Sequence, residues 1–358
     1  MKTFRFKHMV RNIISPVMIL FITTMMGSVS VYSQEMERKV KRVFQVTPDT
    51  ELSVSNKFGR VHINTWEENQ ISVEVVITAE MRNENKTREF LDDVQIKMWE
   101  GSSRVSLETV YKDNQNNNKE ESFSVNYTIS MPSANALTVE NKFGDIYIAD
   151  LTGKLDIDLK YGNLKGAKLT GSSEIEMGFG GGNIEELGNS DLDIKYSNLT
   201  IYKILNTNLE QGFSDIEIED AGNIDLHSKY GSLALGTIKS VEGSAGFTDF
   251  RIDEVSGSVD LDLEYVGGFR ISKVKKEIQG MKIAAKFTSM DIKIEEGVSA
   301  DFEAQFKFSD LHARDDVVDL NYVVKDNNTN EYRGQIGTGG RGLIKIDSSY
   351  GDLRLSKH

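Results

Sequence analysis

The chain contains no cysteine in 358 residues. That removes disulfides, thiol catalysis, cysteine-ligated zinc, iron–sulfur clusters and lipid attachment through an N-terminal cysteine. Proline is nearly absent at three residues, and the five histidines leave little material for a metal centre. Positive charge is outnumbered, with 42 Lys and Arg against 55 Asp and Glu. The resulting net charge of −13 argues against nucleic acid as the main partner. The apolar stretch Val17 to Met26 is shorter than the roughly 20 residues that an ordinary spanning helix needs.

What the chain does have is a phrase repeated many times. An aromatic residue is followed by a small residue, then Asp, Asn or Ser, then two aliphatics separated by one outward residue. Phe143-Gly-Asp-Ile146-Tyr-Ile148 and Phe213-Ser-Asp-Ile216-Glu-Ile218 are two copies. The leading aromatics are Phe143, Tyr161, Phe179, Tyr196, Phe213, Tyr230, Phe247 and Tyr265, so the period is 17 to 18 residues. A fixed period of alternating strands predicts stacked repeats.

Phe and Tyr alternate along this series, and so do their predecessors: Lys160, Lys195 and Lys229 before Tyr, Gly178, Gly212 and Gly246 before Phe. This second order predicts an all-β fold, a single β-solenoid whose 17–18-residue repeats pair into coils of about 34–35 residues. Phe copies would stack along one side, inside, and Tyr copies along the other. In Leu155-Asp-Ile157-Asp-Leu159 apolar and acidic residues alternate strictly, the mark of a strand with one buried face. The Gly or Ser with Asp or Asn after each aromatic supplies a turn. Gly153, Gly171, Gly188, Gly222 and Gly257, each eight residues before an aromatic, mark a second corner.

Residues 1–33 read as a signal peptide. Lys2, Arg5, Lys7 and Arg11 form the basic start, Val17 to Met26 the apolar core, and Val31-Tyr32-Ser33 a cleavage tail that leaves Gln34 first. Loss of those four basic residues would take the net charge from −13 to −17. The expectation is an exported chain in the periplasm, at the outer surface or outside the cell, with no stable membrane span once the signal is cleaved. Residues 34–135 read as an irregular N-terminal β part with one helix, Glu84 to Val94, whose Phe90, Leu91 and Val94 share a side and whose Glu84 and Arg88 pair at helical spacing. A polar loop, Asn114 to Glu121, follows. Residues 136–315 are the regular repeats, loosening at Phe287 and Phe308, and 316–358 a closing repeat with a hairpin-like loop at Asp326 to Asn330 and a last copy at Tyr350. The motif also occurs early, at Phe58, so these parts read as one continuous domain.

The run from Ile129 to Ile146, the tandem Gly-Asp-Ile and Gly-Asn-Leu phrases and the terminal Ser349-Tyr350-Gly-Asp-Leu353 resemble the bacterial putative-adhesin family, which includes the head GIN domain solenoids. The resemblance covers nearly all of the mature chain and implies a secreted or envelope-exposed β-solenoid. It carries over no catalytic residue. The zone from 66 to 125 departs most from the repeat.

Several features invite chemistry. Gly337-Thr-Gly339-Gly-Arg-Gly342 fits a dinucleotide pattern, but Leu343-Ile-Lys-Ile346 after it reads as a strand, where the fingerprint needs a helix. A glycine turn is expected. His62 and His312 hold the same place in their copies and read as free surface histidines, while His227 is solitary. Asp145, Asp215, Asp249 and Asp310 each stand two residues after a Phe, and in a two-copy coil several would lie close together. They are calcium candidates, the alternative being that each caps the backbone of its own turn. The pairs Asp156/Asp158, Asp191/Asp193 and Asp260/Asp262 could serve a glycan-cleaving enzyme, but they recur on every copy as a solvated face would. The reading is a noncatalytic binding or structural surface protein with no cofactor, its partner a glycan or an envelope or surface protein. A polysaccharide-active β-helix enzyme and an accessory in envelope stress signalling are the alternatives.

Overall fold

The computed structural model describes residues 35–112 and 122–358. The expected signal peptide, the expected mature start at Gln34 and the polar loop from Asn114 to Glu121 lie outside the described residues. No helix among those described is long and apolar enough to cross a membrane.

The described chain is all-β apart from one helix, and its 24 strands form one open sheet. The N-terminal part holds β1 (Met36–Gln45), β2 (Glu51–Lys57), β3 (Val61–Trp66), β4 (Gln70–Glu80), α1 (Glu84–Asp93), β5 (Gln95–Glu100), β6 (Arg104–Val110) and β7 (Ser122–Pro132). Next come β8 (Leu137–Lys142), β9 (Ile146–Ile148), β10 (Leu155–Lys160), β11 (Asn163–Leu169), β12 (Ser173–Gly178) and β13 (Gly181–Lys195). β14 (Asn198–Val255) then runs through successive copies without interruption. β15 (Ser258–Glu264), β16 (Gly267–Val274), β17 (Gly280–Lys286) and β18 (Met290–Ile294) follow. The chain ends with β19 (Ala300–Lys307), β20 (Leu311–Ala313), β21 (Asp319–Lys325), β22 (Thr329–Ile336), β23 (Leu343–Ser349) and β24 (Leu353–Lys357).

Register decides the size of the coil. Leu155 lies beside Leu137 on one side and Ser173 on the other, and Ser173 lies beside Ser190, always parallel. On the other side of the turn Leu164 pairs with Ile146 and Gly182 with Leu199. Each 17–18-residue copy therefore stacks directly on the next, and the coil of about 34–35 residues is not found. The alternation that suggested it belongs to the surface. Lysines in adjacent coils, as Lys57, Lys142 and Lys160 are at the N-terminal end, stand about 4.8 Å apart and repel by close to 1 kcal/mol even in water, and the later copies relieve this. Gly178 between Lys160 and Lys195, and Gly212 between Lys195 and Lys229, double that spacing.

Every second side chain points inward, giving two facing sets of aliphatics. Leu155, Ile157 and Leu159 lie before the turn, Leu164 and Leu169 after it, all at most 1% exposed. The aromatics do not join them. Phe213 is 53% exposed, and apart from Phe58 the repeat aromatics are all similarly open. The expected internal Phe stack is thus an external one, and it is mixed. The cause is backbone geometry. All twelve, from Phe58 to Tyr350, have φ between 52° and 64°, and at such a left-handed corner the side chain leaves the inward–outward alternation and swings out of the coil.

The next residue explains the small-residue rule. A Cβ on Gly180 would meet the Gly162 carbonyl oxygen at 1.9 Å, so the adjacent coil forbids any side chain there. At Ser197 and Ser214, which hold the same place in later copies, the hydroxyl takes up an amide of the preceding coil: Gly180 N donates to Ser197 Oγ and Ser197 N to Ser214 Oγ, both at 3.1 Å.

The ends depart from this plan. Phe58's coil stacks on Phe143's through β2–β8 and β3–β9, and the chain between them, joined by β1, folds back over the end as antiparallel β1–β4, β4–β7 and β5–β6. α1 lies against β4 and β1, capped by Asn83, with Phe90, Leu91 and Val94 buried and Arg88 bonded to Glu84, as expected. At the other end β23 is inserted between β17 and β19, so the last copy lies between those of Phe287 and Phe308. The predicted hairpin joins β21 to β22, with Asp326 N donating to Thr329 O at 2.9 Å.

Candidate binding face

Three parallel stripes cover the outer side of the strands that precede the turn. The first is acidic, because register aligns like positions. Asp156, Glu174, Asp191, Asn208, Asp225, Glu242 and Asp260 form one column, with Asp158, Glu176, Asp193, Glu210, His227, Ser244 and Asp262 beside it. The candidate pairs Asp156/Asp158, Asp191/Asp193 and Asp260/Asp262 are therefore members of long columns. Asp158 bonds Lys160 at 3.1 Å, Asp193 bonds Lys195 at 2.8 Å and Asp260 bonds Lys282 at 3.2 Å.

The second stripe consists of residues immediately before the aromatics, chiefly lysines. A hydrogen bond and the adjacent charge of Asp193 raise the pKa of Lys195, and Lys142 is raised in the same way by Glu140. The third stripe is the aromatic stack. Its twelve rings run in the order Phe58, Phe143, Tyr161, Phe179, Tyr196, Phe213, Tyr230, Phe247, Tyr265, Phe287, Tyr350, Phe308. Neighbouring centroids are 4.6 to 5.2 Å apart and the planes lie within 20° of parallel. Each ring covers the faces of its neighbours, so solvent meets ring edges and tyrosine hydroxyls. Stacking worth about 0.5–1.5 kcal/mol per pair offsets a left-handed conformation that costs roughly 1–2 kcal/mol. At the N-terminal end Phe123 and Tyr111 close the stack edge-on against Phe58.

The four aspartates after Phe do not converge. With one copy per coil, Asn163, Gly181 and Asn198 come between Asp145 and Asp215, and Ser232 comes between Asp215 and Asp249. Nor do Asp145, Asp215 and Asp310 cap their own turns alone, because each also has a partner on another coil or on the C-terminal hairpin. Asp145 Oδ1 accepts from Asn163 N at 2.8 Å and Asn163 Nδ2 at 3.0 Å, and Asp215 Oδ1 accepts from the Ser232 hydroxyl at 2.6 Å. Asp310 accepts from Leu311 N, Lys325 and the Tyr332 hydroxyl. Partial burial pushes its pKa up, but those donors outweigh burial and leave it lowered. Among the described residues no group of three or more His, Cys, Asp or Glu is placed to hold a metal ion.

The remaining candidates are placed as follows. Gly337, Gly339 and Gly340 all have positive φ in the turn from β22 to β23, so the glycine turn is found and a strand follows it. His312 is not free: its Nε2 lies 3.3 Å from Asp352 Oδ2. His62 lies beside the Tyr147 ring, and His227 stands in the acidic column with Nδ1 2.6 Å from Leu226 O. Sequence reasoning missed the buried amides at the N-terminal end. Asn56 and Asn141 bond each other, and Asn141 Nδ2 donates to Gly59 O and Gly144 O at 3.0 and 2.8 Å. The clue was an Asn two residues before the aromatic, where later copies carry Leu159, Met177 and Ile194.

Two grooves run along the strands before the turn. One of about 740 Å³ lies at their start, lined by Ser173, Asn189, Asp191, Asn206 and Glu242 among others. One of about 990 Å³ lies beside the aromatic stack in the C-terminal half, between Lys229 and Lys307.

No family model matches the chain, and no curated protein does. Solved structures give distant likenesses. A putative adhesin from Bacteroides fragilis is 12% identical, with 89% of this chain and 97% of that chain covered and a TM-score of 0.27. A putative cell adhesion protein from Clostridium sporogenes is 11% identical, covering 90% and 100%, at 0.18. A putative lipid binding protein from Parabacteroides distasonis is 11% identical, covering 88% and 96%, at 0.22. At such identities and scores these likenesses transfer no ligand and no activity.

Proposed function

We propose that the chain is a noncatalytic, exported β-solenoid that presents a long repetitive face for binding, as an adhesin or a structural surface protein. The observation that carries this reading is the in-register outer face, where acids hold six of seven places in one column and five of seven in the other. A catalytic centre should break a repeat at one place. Carboxylates about 5 Å apart could serve a retaining glycosidase, but neighbours in an acidic column all have about that spacing, so it singles out no pair. A regular face matches an extended partner, such as a glycan chain or a surface polymer. Calcium at Asp145, Asp215, Asp249 or Asp310 is not part of this reading, since the four do not converge and the carboxylates of Asp145, Asp215 and Asp310 serve hydrogen bonds.

A glycan-array screen of the chain from Gln34 onward, run beside an assay for release of reducing ends, tests the proposal. Retention of glycan without cleavage is the expected result. Turnover abolished by one carboxylate substitution would establish the enzyme reading instead.

A further inference from the structure

The lysine stripe changes character along the stack. Lys142, Lys160 and Lys195 each bond the acid two residues earlier on their own strand: Glu140 at 2.8 Å, Asp158 at 3.1 Å and Asp193 at 2.8 Å. In three later copies that acid is missing, and His227, Ala284 and Gln305 stand in its place before Lys229, Lys286 and Lys307. Among the described residues none of these three lysines has an ion-pair partner. Lys229 and Lys307 only approach their neighbouring rings, Tyr230 at 5.8 Å and Phe308 at 5.9 Å. All three line the groove of about 990 Å³ beside Phe247.

Register orders the groove. Ring stacking places Lys229's coil beside Gly246's, and strand pairing continues through Glu264, Lys286, Ser349 and Lys307. At about 4.8 Å per coil, Lys229 and Lys286 are roughly 14 Å apart and Lys286 and Lys307 roughly 10 Å apart. Glu264 stands between the first two, with Asp262 beside it on the same strand.

We propose that this groove binds a linear glycan bearing carboxylates, a uronic-acid chain. The inference rests on the reading of the protein as a binding module and names its ligand class. Unpartnered ammonium groups in a row attract carboxylates, and charge-assisted hydrogen bonds hold them. A peptide is disfavoured because β15, β17 and β23, which carry the groove, are already paired on both sides and offer no backbone edge. Glu264 and Asp262 repel a uniformly charged polyanion. A sugar acid suits both signs: its carboxylates meet the lysines and its hydroxyls donate to the intervening acids.

Calorimetric titration of hexagalacturonate tests this, with a carboxyl-reduced hexasaccharide and dextran sulfate as further arms. Replacing Lys229, Lys286 and Lys307 together by Gln should weaken binding by about tenfold or more, because each lost charge-assisted contact is strong. The same change at Lys142, Lys160 and Lys195 should alter it by less than about twofold, since those ammoniums already serve exposed pairs. Carboxyl reduction of the ligand must weaken binding to the unaltered protein, a comparison that holds even if a variant misfolds. Equal loss in both triple variants, equal affinity for the reduced sugar, tighter binding of dextran sulfate, or no saturable binding of hexagalacturonate would each overturn the inference. If the array retains other glycans while hexagalacturonate fails, the ligand class falls and the binding reading stands. If nothing is retained, both fall.

Discussion

The middle of the stack and its two ends are built from the same repeat but solve different problems. From Leu155 to Glu264 each copy pairs with the copies immediately before and after it in sequence, so order along the chain is order in space. At the ends this breaks down. Phe58's coil waits for Phe143's, about 85 residues later in sequence, and Phe308's coil waits for the chain's last strands. The middle could lengthen or shorten without a new interaction, because each copy there pairs only with its neighbours. The ends cannot, because they must satisfy a strand face that would otherwise remain open to another chain.

Deletion separates the two regimes most sharply. Removing one internal coil, residues 196–212, should leave a folded protein in which Lys195 leads into Phe213 and the stack is one ring shorter. Removing residues 343–358 takes away β23 and β24 and should abolish ordered structure from about residue 300 onward. Hydrogen exchange would report both, and a tolerated C-terminal deletion would show that the inserted copy is dispensable.

A smaller effect contrasts the inside and outside of one coil. Leu226→Ala, at a fully buried position, should cost about 2–5 kcal/mol in a denaturant melt. Phe213→Ala should cost about 1–3 kcal/mol, since it removes two stacked contacts of about 0.5–1.5 kcal/mol each but opens no enclosed cavity. Phe213→Val should be worse than Phe213→Gly despite its bulk, because a β-branched residue resists φ of 53° and glycine does not. The reverse order would mean that the left-handed corner is not maintained.

At the N-terminal end Asn141→Ala should cost about 1–3 kcal/mol by removing the amide donor to Gly144 O and one of the two to Gly59 O, the other being Asn56 Nδ2. The equivalent polar residue in the middle, Gln211, bonds only at 3.4 and 3.5 Å, and Gln211→Ala should cost less.

Acid gives a graded test. Asp310 at the C-terminal end and Glu140 near the N-terminal end both have lowered pKa values when folded, Asp310 because its donors outweigh burial and Glu140 chiefly through its hydrogen bond to Lys142. A carboxylate whose folded pKa lies below its unfolded value adds stability above the unfolded pKa and loses it as pH falls through the folded one. Melting temperature should therefore decline below the ordinary carboxylate range, and Asp310→Asn should flatten that decline. The smallest effect is expected at Glu217, exposed and 3.5 Å from Arg251, where Glu217→Ala should change stability by no more than about 0.5 kcal/mol.

The period, the alternating strands, the turn after each aromatic and the helix from Glu84 could be read from residues, because each is a local preference repeated many times. The pairing of coils could not. Alternation of Lys-Tyr with Gly-Phe looked like a two-copy unit, yet it is the spacing of charge on a one-copy coil. The aromatics looked like core because they are large and regular, but the left-handed turn holds them outside. For the candidate site, the acidic columns were visible as Asp pairs, whereas the unpaired lysines emerged only when register showed which positions share a groove.

The sequence by itself determined that this chain is a repeated β structure with one acidic and one aliphatic side to each strand, since side-chain alternation and turn chemistry act within a few residues. Tertiary structure alone decided that one copy makes one coil, that the aromatics stack outside, and that the last strands slot in before Phe308's coil. Those outcomes depend on which strand edge finds which, and strand pairing joins residues that carry no mark of one another in the chain.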